Sequence, residues 1–425
     1  MTGPFREIWF LWRDRAALLW IAIAFIAASL SVGFGLIEIA DQRATIDRLK
    51  TADQIERAVA LEEYRDWGMA GYYTFHLTYD PPSDFAFAAL GERDASPWKH
   101  RIRILALEGQ IYETDAANPD FALIGRFDFA FVIAMISPLL LILLLHDLRA
   151  SERASGRYEL LSATSASGLT LWISRAAFRV GALVLALLMP LWIGAGLSGA
   201  SLGVVAVASI TTVAHLGLWW AIIAYVNTRG WSAPVNLTAL IGAWLALAII
   251  VPAALKAGID ASVPVPDGGD IILTQREAVN DAWDLPVSAT MDPFLERHPD
   301  WVGHTAMDST FEWKWYYAFQ QVGDQTVEPL SNAYREGRKQ REKWASMLTW
   351  LSPPAKVERV FQSIAQTDAR ASARYEARVR AFHEDLRTFY YPGLFLDTPF
   401  DDGSISMRPD FAASRQREGS EVWEQ

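Results

Sequence analysis

Residues 127–145 read FDFAFVIAMISPLLLILLL, and this apolar run passes straight into His146-Asp147-Leu148-Arg149-Ala150-Ser151-Glu152-Arg153-Ala154-Ser155-Gly156-Arg157-Tyr158-Glu159-Leu160-Leu161 before the chain turns apolar again. Such an order describes a helix leaving a membrane, a charged amphipathic element beneath it, and a helix going back in. In that element Leu148, Tyr158, Leu160 and Leu161 face lipid or protein, while Arg149, Glu152, Arg153, Arg157 and Glu159 meet water.

Working outward, residues 16–39, 127–145, 176–194, 202–226 and 234–255 each come near the ~20 residues that cross a ~30 Å hydrocarbon core. Backbone polar groups in hydrocarbon must be paired within their own segment, so helices are expected. The first run can also be read as an uncleaved signal. Its apolar core over residues 18–35 is long for that, and no small-residue cleavage site follows, which favours a retained helix.

The composition fits a membrane protein with large water-facing parts: 52% hydrophobic and 20% charged residues, with no charge from Phe129 to Leu145 and dense charge after Asp260. Arg6, Arg13 and Arg15 precede the first run, Arg149, Arg153, Arg157, Arg175 and Arg179 sit between the second and third, and Arg229 lies between the fourth and fifth. By the positive-inside rule these flanks are cytoplasmic, and residues 41–125 and those after about Lys256 fall outside. A net charge of −11 argues against a nucleic-acid partner. The absence of cysteine removes disulfides, iron–sulfur clusters and thiolate metal sites.

The outer segments must therefore fold by burial. Trp67, Tyr72, Tyr73, Phe75, Phe85, Phe87 and Trp98 in the first, and Trp301, Phe311, Trp313, Trp315, Tyr316, Tyr317 and Phe319 in the second, are read as core and interface aromatics. Ile46, Leu49, Ala52, Ile55, Ala58, Val59 and Leu61 predict a helical stalk continuing the first run, followed by strands over 72–79 and 101–107 and a turn at Glu108-Gly109. Residues 311–343 and 354–389, separated by Trp350-Leu351-Ser352-Pro353-Pro354, predict two long helices packed as a hairpin. The tail from Asp401 reads as polar and mobile.

The expected fold is an α-helical integral membrane protein of about five spans, with a small α+β extracytoplasmic domain and a mainly helical C-terminal one. Its parts are a cytoplasmic elbow helix (1–15), a first span (16–39), an extracytoplasmic domain with helical stalk (40–126), a second span (127–145), a cytoplasmic element (146–175), three spans (176–256), a helical extracytoplasmic domain (257–400) and a mobile tail (401–425).

Three stretches resemble ABC-2 type transporter permeases of the branch that carries a DUF3526 region. Phe5-Arg6-Glu7-Ile8-Trp9-Phe10-Leu11-Trp12-Arg13-Asp14-Arg15 looks like an amphipathic elbow; Ser137-Pro138-Leu139-Leu140 through Leu161 is similar to the exit of the second span and the coupling element; Trp350 through Pro392 resembles the outer helical region. Ala154 and Arg157 depart from the usual Glu and Thr, and relatives end in a sixth span for which residues 401–425 hold nothing apolar enough, so either five spans or a truncated chain is expected.

The resemblance implies a permease subunit in the bacterial inner membrane that moves a substrate with ATP and Mg bound and hydrolysed by a separate ABC ATPase, paired with a second permease subunit as a homodimer or heterodimer. Arg149, Glu152, Arg153, Gly156 and Arg157 would then couple to that ATPase, although an ordinary charged loop accounts for them too. No P-loop pattern occurs, so no cofactor and no catalysis are expected in this chain. A membrane-anchored mechanotransmission or assembly protein driven by such an ATPase, or a membrane-bound enzyme, is the alternative.

His215, with Trp219, Trp220 and Trp244, is either a pathway residue or a histidine hydrogen-bonded across helices. His298 and His304, with Asp308 nearby, match no known metal-site spacing, and the neighbours in His383-Glu384-Asp385 point to different helix faces. No metal site is expected. A hydrolase nucleophile elbow is also missing.

Overall fold

The computed structural model describes residues 4–94, 96–113, 127–164, 168–396 and 398–412; the end of the first polar segment (114–126) and the tail from 413 lie outside them. Among the described residues five helices are long and apolar enough to cross a membrane, at Arg15–Val59, Phe129–Ala154, Thr170–Ser198, Leu202–Thr228 and Ala233–Ser262.

The first belongs to a continuous 49-residue helix, Arg15–Glu63. At 1.5 Å per residue it is about 70 Å long, so its second half stands clear of the apolar bundle as the expected stalk. Its buried residues Ala17, Ala24, Ala28, Val32, Ile39 and Ile46 form one stripe, and the small ones let the third apolar helix approach closely. The second helix is the most buried of the five, with a stripe at Phe131, Met135, Leu139 and Leu143 left partly exposed.

Two prolines shape the bundle. Pro138 and Pro252 each follow a π-helical turn, Val132–Ile136 and Ala246–Ile250, where the ordinary ladder is interrupted. Side chains from elsewhere take up carbonyls in both turns: Trp244 Nε1 donates to Met135 O at 3.1 Å and Ser352 Oγ to Leu247 O at 2.7 Å.

The two polar segments, expected as separate domains, share one core at one end of the bundle. Trp67, Leu77 and Ile102 from the first pack with Phe294, Tyr317, Phe382 and Tyr391 from the second. Tyr317 donates to Gly68 O at 2.8 Å and Trp67 Nε1 to Thr398 O at 3.0 Å. Four apolar helices separate the segments in sequence, an even number, which returns the chain to the same end.

Local structure departs from expectation in four places. The strands are His76–Tyr79 and Lys99–Ile102, antiparallel with His76 opposite Ile102, and residues Trp67–Tyr73 are helical. Glu108 and Gly109 lie in the helix Leu107–Tyr112, whose leading N–H groups bond Asp324 at 2.8 and 3.1 Å; that capping partner is over 200 residues away and invisible to local patterns. The second long helix is broken at Gln366, which takes a left-handed φ of 57°, into Pro353–Ala365 and Ala369–Phe395. Of the expected mobile tail, residues 401–412 carry a short helix, Asp402–Ser406, and bury Ile405 and Phe411.

Pieces of the polar domain also enter the apolar core. The Pro353–Ala365 helix contributes Val357, Phe361 and Ala365, and the loop from Phe85 to Leu90 is buried throughout. That loop lies so close to the first helix that a Cβ at Gly35 would sit 2.0 Å from Phe87 O.

Candidate functional site

At the end of the bundle opposite the polar domain, the elbow helix Pro4–Arg13, the short helices Ala150–Ala154 and Tyr158–Thr164, and the start of Gly168–Ser198 come together. Ala150–Ala154 stops where Gly156 adopts φ +71°, with Gly156 N–H on Arg153 O and Arg157 N–H on Glu152 O, both 3.0 Å. This is a Schellman closure, and it reverses the chain within three residues.

Glu152 was expected in water. It is instead the hub of the segment, its side chain 16% exposed, accepting from Arg157 at 2.8 Å and Arg175 at 3.3 Å. Arg175 also meets Glu7 of the elbow at 3.5 Å. A layer of rings and guanidinium groups lies beside these pairs: Tyr158 stacks on Trp172 at 5.6 Å, Arg149 and Arg175 lie 5.9 and 5.5 Å from the Trp172 ring, and Arg153 lies 4.7 Å from Tyr158. The structure thus brings Arg149, Glu152, Arg153, Gly156 and Arg157 into one braced unit. Its outward face carries Arg157, Glu159 and Leu160, the last 66% exposed.

Residues not expected at the site, two of them read only as flank or elbow residues, hold this unit to the bundle. Asp14 accepts from Arg179 at 2.7 Å, and Arg179 donates to Leu144 O at 2.8 Å. Asn227 donates to Leu145 O at 3.0 Å, and Asn236 to His146 O and Asn227 Oδ1, both at 3.1 Å. These amides bond the last carbonyls of the second apolar helix, where the regular ladder ends; among the described residues Leu145 O otherwise has only the long Leu148 N–H bond at 3.4 Å. The visible signal was an uncharged amide just after the fourth apolar run, Asn227, and another inside the fifth, Asn236.

His215, Trp219, Trp220 and Trp244 do not line one cavity. His215 packs edge-to-face on buried Trp219 at 6.5 Å. It sits beside the Ala134 carbonyl, the one that Pro138 deprives of its N–H donor, although neither ring nitrogen makes a bond of ordinary geometry. Trp220 lines a separate space of about 50 Å³ with Trp172 and Asn227. Trp244 serves the π turn of the second helix.

In the polar domain His298 stacks on Trp301 at 4.5 Å with Gln321 at 2.8 Å, and His383 Nε2 donates to Arg103 O and Leu105 O at 3.1 and 2.9 Å. Burial pushes the His383 imidazole well below its ordinary range, so it stays neutral. Among the described residues no group of three or more His, Asp or Glu stands close enough to hold a metal ion.

Helices of this length and apolarity, with a braced arginine-rich end, define the class as a mainly helical protein of membrane-protein type. Residues 271–414, about a third of the chain, match the family described as domain of unknown function DUF3526. No curated protein and no solved structure matches the chain.

Proposed function

We propose that the chain is the membrane-spanning permease subunit of an ABC-2 type transporter, moving a substrate with ATP hydrolysed by a separate ATPase subunit. The observation that carries the reading is the unit around Glu152. Two short helices, closed by Gly156 and tied through Arg175 to the elbow and the third apolar helix, form a rigid handle at the end remote from the polar domain. A push on such a handle moves the third helix rather than a slack loop. A DUF3526 match in the polar domain agrees with the branch resembled by the sequence.

In this reading the arginine-rich end is cytoplasmic, the polar domain extracytoplasmic in a bacterial inner membrane, and a second permease subunit completes the pathway. The decisive experiment is co-purification with an ATPase encoded beside it, then ATP-driven uptake into sealed vesicles. Arg157→Glu with Leu160→Asp, both on the outward face, should leave insertion intact and abolish stimulation of the ATPase. Unchanged stimulation would reduce the segment to a loop. The chain has no cysteine, so single cysteines at Ser155 and Lys339 should label from opposite sides of the membrane.

A second reading, ATPase-driven mechanical work on the polar domain without transport, is favoured by the Phe85–Leu90 loop and the Pro353–Ala365 helix, which join that domain to the bundle core. ATPase stimulation without substrate movement in the vesicle assay would select it.

A further inference from the structure

The fifth apolar helix and the Trp313–Leu348 helix run antiparallel and are fastened at two levels. At one, Ser352 Oγ donates to Leu247 O at 2.7 Å. At the other, Gly337 packs so near Val265 that a Cβ would meet its Cγ2 at 2.8 Å, and Arg341 Nε donates to Val263 O at 2.9 Å. Between the fastenings the helices border an open cavity of about 560 Å³, which Glu92, Ser96, Ala355 and Ala369 also line.

Its walls are two facing stripes. Pro252, Leu255, Lys256, Ile259 and Asp260 lie at helical spacing on one helix, and Arg338, Arg341, Glu342, Ala345 and Leu348 on the other. The antiparallel register sorts them by height. Pro252, Leu255, Ala345 and Leu348 stand at the bundle end, whereas Asp260, Arg338 and Arg341 stand at the polar-domain end. Trp344, Met347, Trp350 and Leu351, all strongly exposed, mark the same level on the outside, and Lys356 covers the Trp350 ring at 4.3 Å, an arrangement suited to a membrane–water interface.

The polar end carries three cations, Lys256, Arg338 and Arg341, against three carboxylates, Glu92, Asp260 and Glu342. Arg341 lies 3.2 Å from Asp260, Lys256 2.5 Å from the same carboxylate and Arg338 2.9 Å from Glu376, while Glu342 is held by both Arg359 and Arg370, the latter at 3.2 Å. A charge-balanced end suits a ligand that carries both signs, and an apolar end suits a hydrocarbon body.

We infer that this cavity is a binding site for an amphiphile with a zwitterionic phosphate head, its phosphate on Lys256, Arg338 and Arg341, its ammonium toward Glu92, and its apolar body against Leu255, Ala345 and Leu348. The site rests on the fifth apolar helix spanning a membrane and is independent of whether an ATPase drives the chain.

The test uses the full chain in detergent, short-chain dihexanoyl phosphatidylethanolamine as probe, and native mass spectrometry with a melting curve as readouts. One molecule per chain is expected to bind saturably and raise the melting temperature. Ala345→Trp, which fills the cavity, should weaken binding at least tenfold, and Lys256→Glu, at an exposed position, should weaken it several-fold with the fold kept. Unchanged binding by Lys256→Glu overturns the assignment even if Ala345→Trp does not fold. Equal binding of free phosphoethanolamine overturns the amphiphile in favour of a soluble ligand, and equal binding of dihexanoylglycerol overturns recognition of the head. Failure to recruit an ATPase leaves every one of these outcomes readable.

Discussion

Asp14 and Arg179 meet at 2.7 Å, and the same carboxylate accepts the Ala17 N–H at 3.1 Å. One side chain therefore both starts the first apolar helix and fixes it to the third. Asp14→Ala should cost about 1–2 kcal/mol, the sum of a lost N-cap and a partly exposed ion pair. Asp14→Asn, which keeps the cap, should cost about 0.5–1 kcal/mol. Melting curves of the two variants check this: equal losses would show that the cap carries nothing, and an unchanged Asp14→Asn that the charge carries nothing.

Gly156 has open space around its Cα, so its φ of +71° is the whole reason for glycine there. Gly156→Ala should cost about 1 kcal/mol through backbone strain alone. The effect should be local: the Arg157 amide, bonded to Glu152 O, should exchange faster while the bundle melts nearly as before. Unchanged exchange there would mean that the Schellman closure does not hold the segment.

In the polar domain Glu108 accepts two bonds from Arg380, at 2.7 and 2.9 Å, and one from Ser331 at 2.7 Å. Burial by itself would push this carboxyl up, but the guanidinium and hydroxyl bonds outweigh it and hold it below the ordinary glutamate value of 4.5. The sign follows directly. The unfolded chain binds the proton more readily, so this contribution is complete above the unfolded value and is lost as pH falls through the folded one. Glu108→Gln should flatten that acid limb in tryptophan-monitored melts and destabilise the domain by about 3 kcal/mol, because Arg380 keeps only the more distant Glu376, at 3.6 Å, as counter-charge. An acid limb as steep as that of the wild-type chain would assign it to other carboxylates.

What was legible in the sequence follows from the range of the interactions. The apolar runs and the stalk are local periodicities, and Gly156 beside Glu152 and Arg153 is a local turn, so both were readable. Asp324 capping Leu107, Asn236 holding His146 O, and the Trp67 contact with Thr398 join residues far apart in the chain, and no window contains both partners. For that reason two segments that share a core were read as two domains. His215 was visible as a polar residue in an apolar run, but its neighbour was not legible, because the Ala134 carbonyl lies on a different helix and is exceptional only through Pro138.

The joint between bundle and polar domain turns on Gly35 and Phe87. A Cβ at Gly35 would lie 2.0 Å from Phe87 O, a backbone atom that moves only if the whole Phe85–Leu90 loop moves. At Gly194 the same addition meets side-chain ends, Val32 Cγ1 at 2.5 Å and the Phe87 ring at 2.9 Å, which can turn aside. Gly35→Ala should therefore cost about 2–3 kcal/mol and Gly194→Ala about 1 kcal/mol. Phe87→Ala, which leaves a void between the first and third helices, should cost about 3–5 kcal/mol. The Leu90 amide reports on the loop, since it donates to Asp128 at 3.0 Å at the N-terminus of the second helix. Its exchange should quicken markedly in Gly35→Ala and little in Gly194→Ala. The reverse order would mean that the loop is held from the third helix, and that Gly35 is small for packing with another partner.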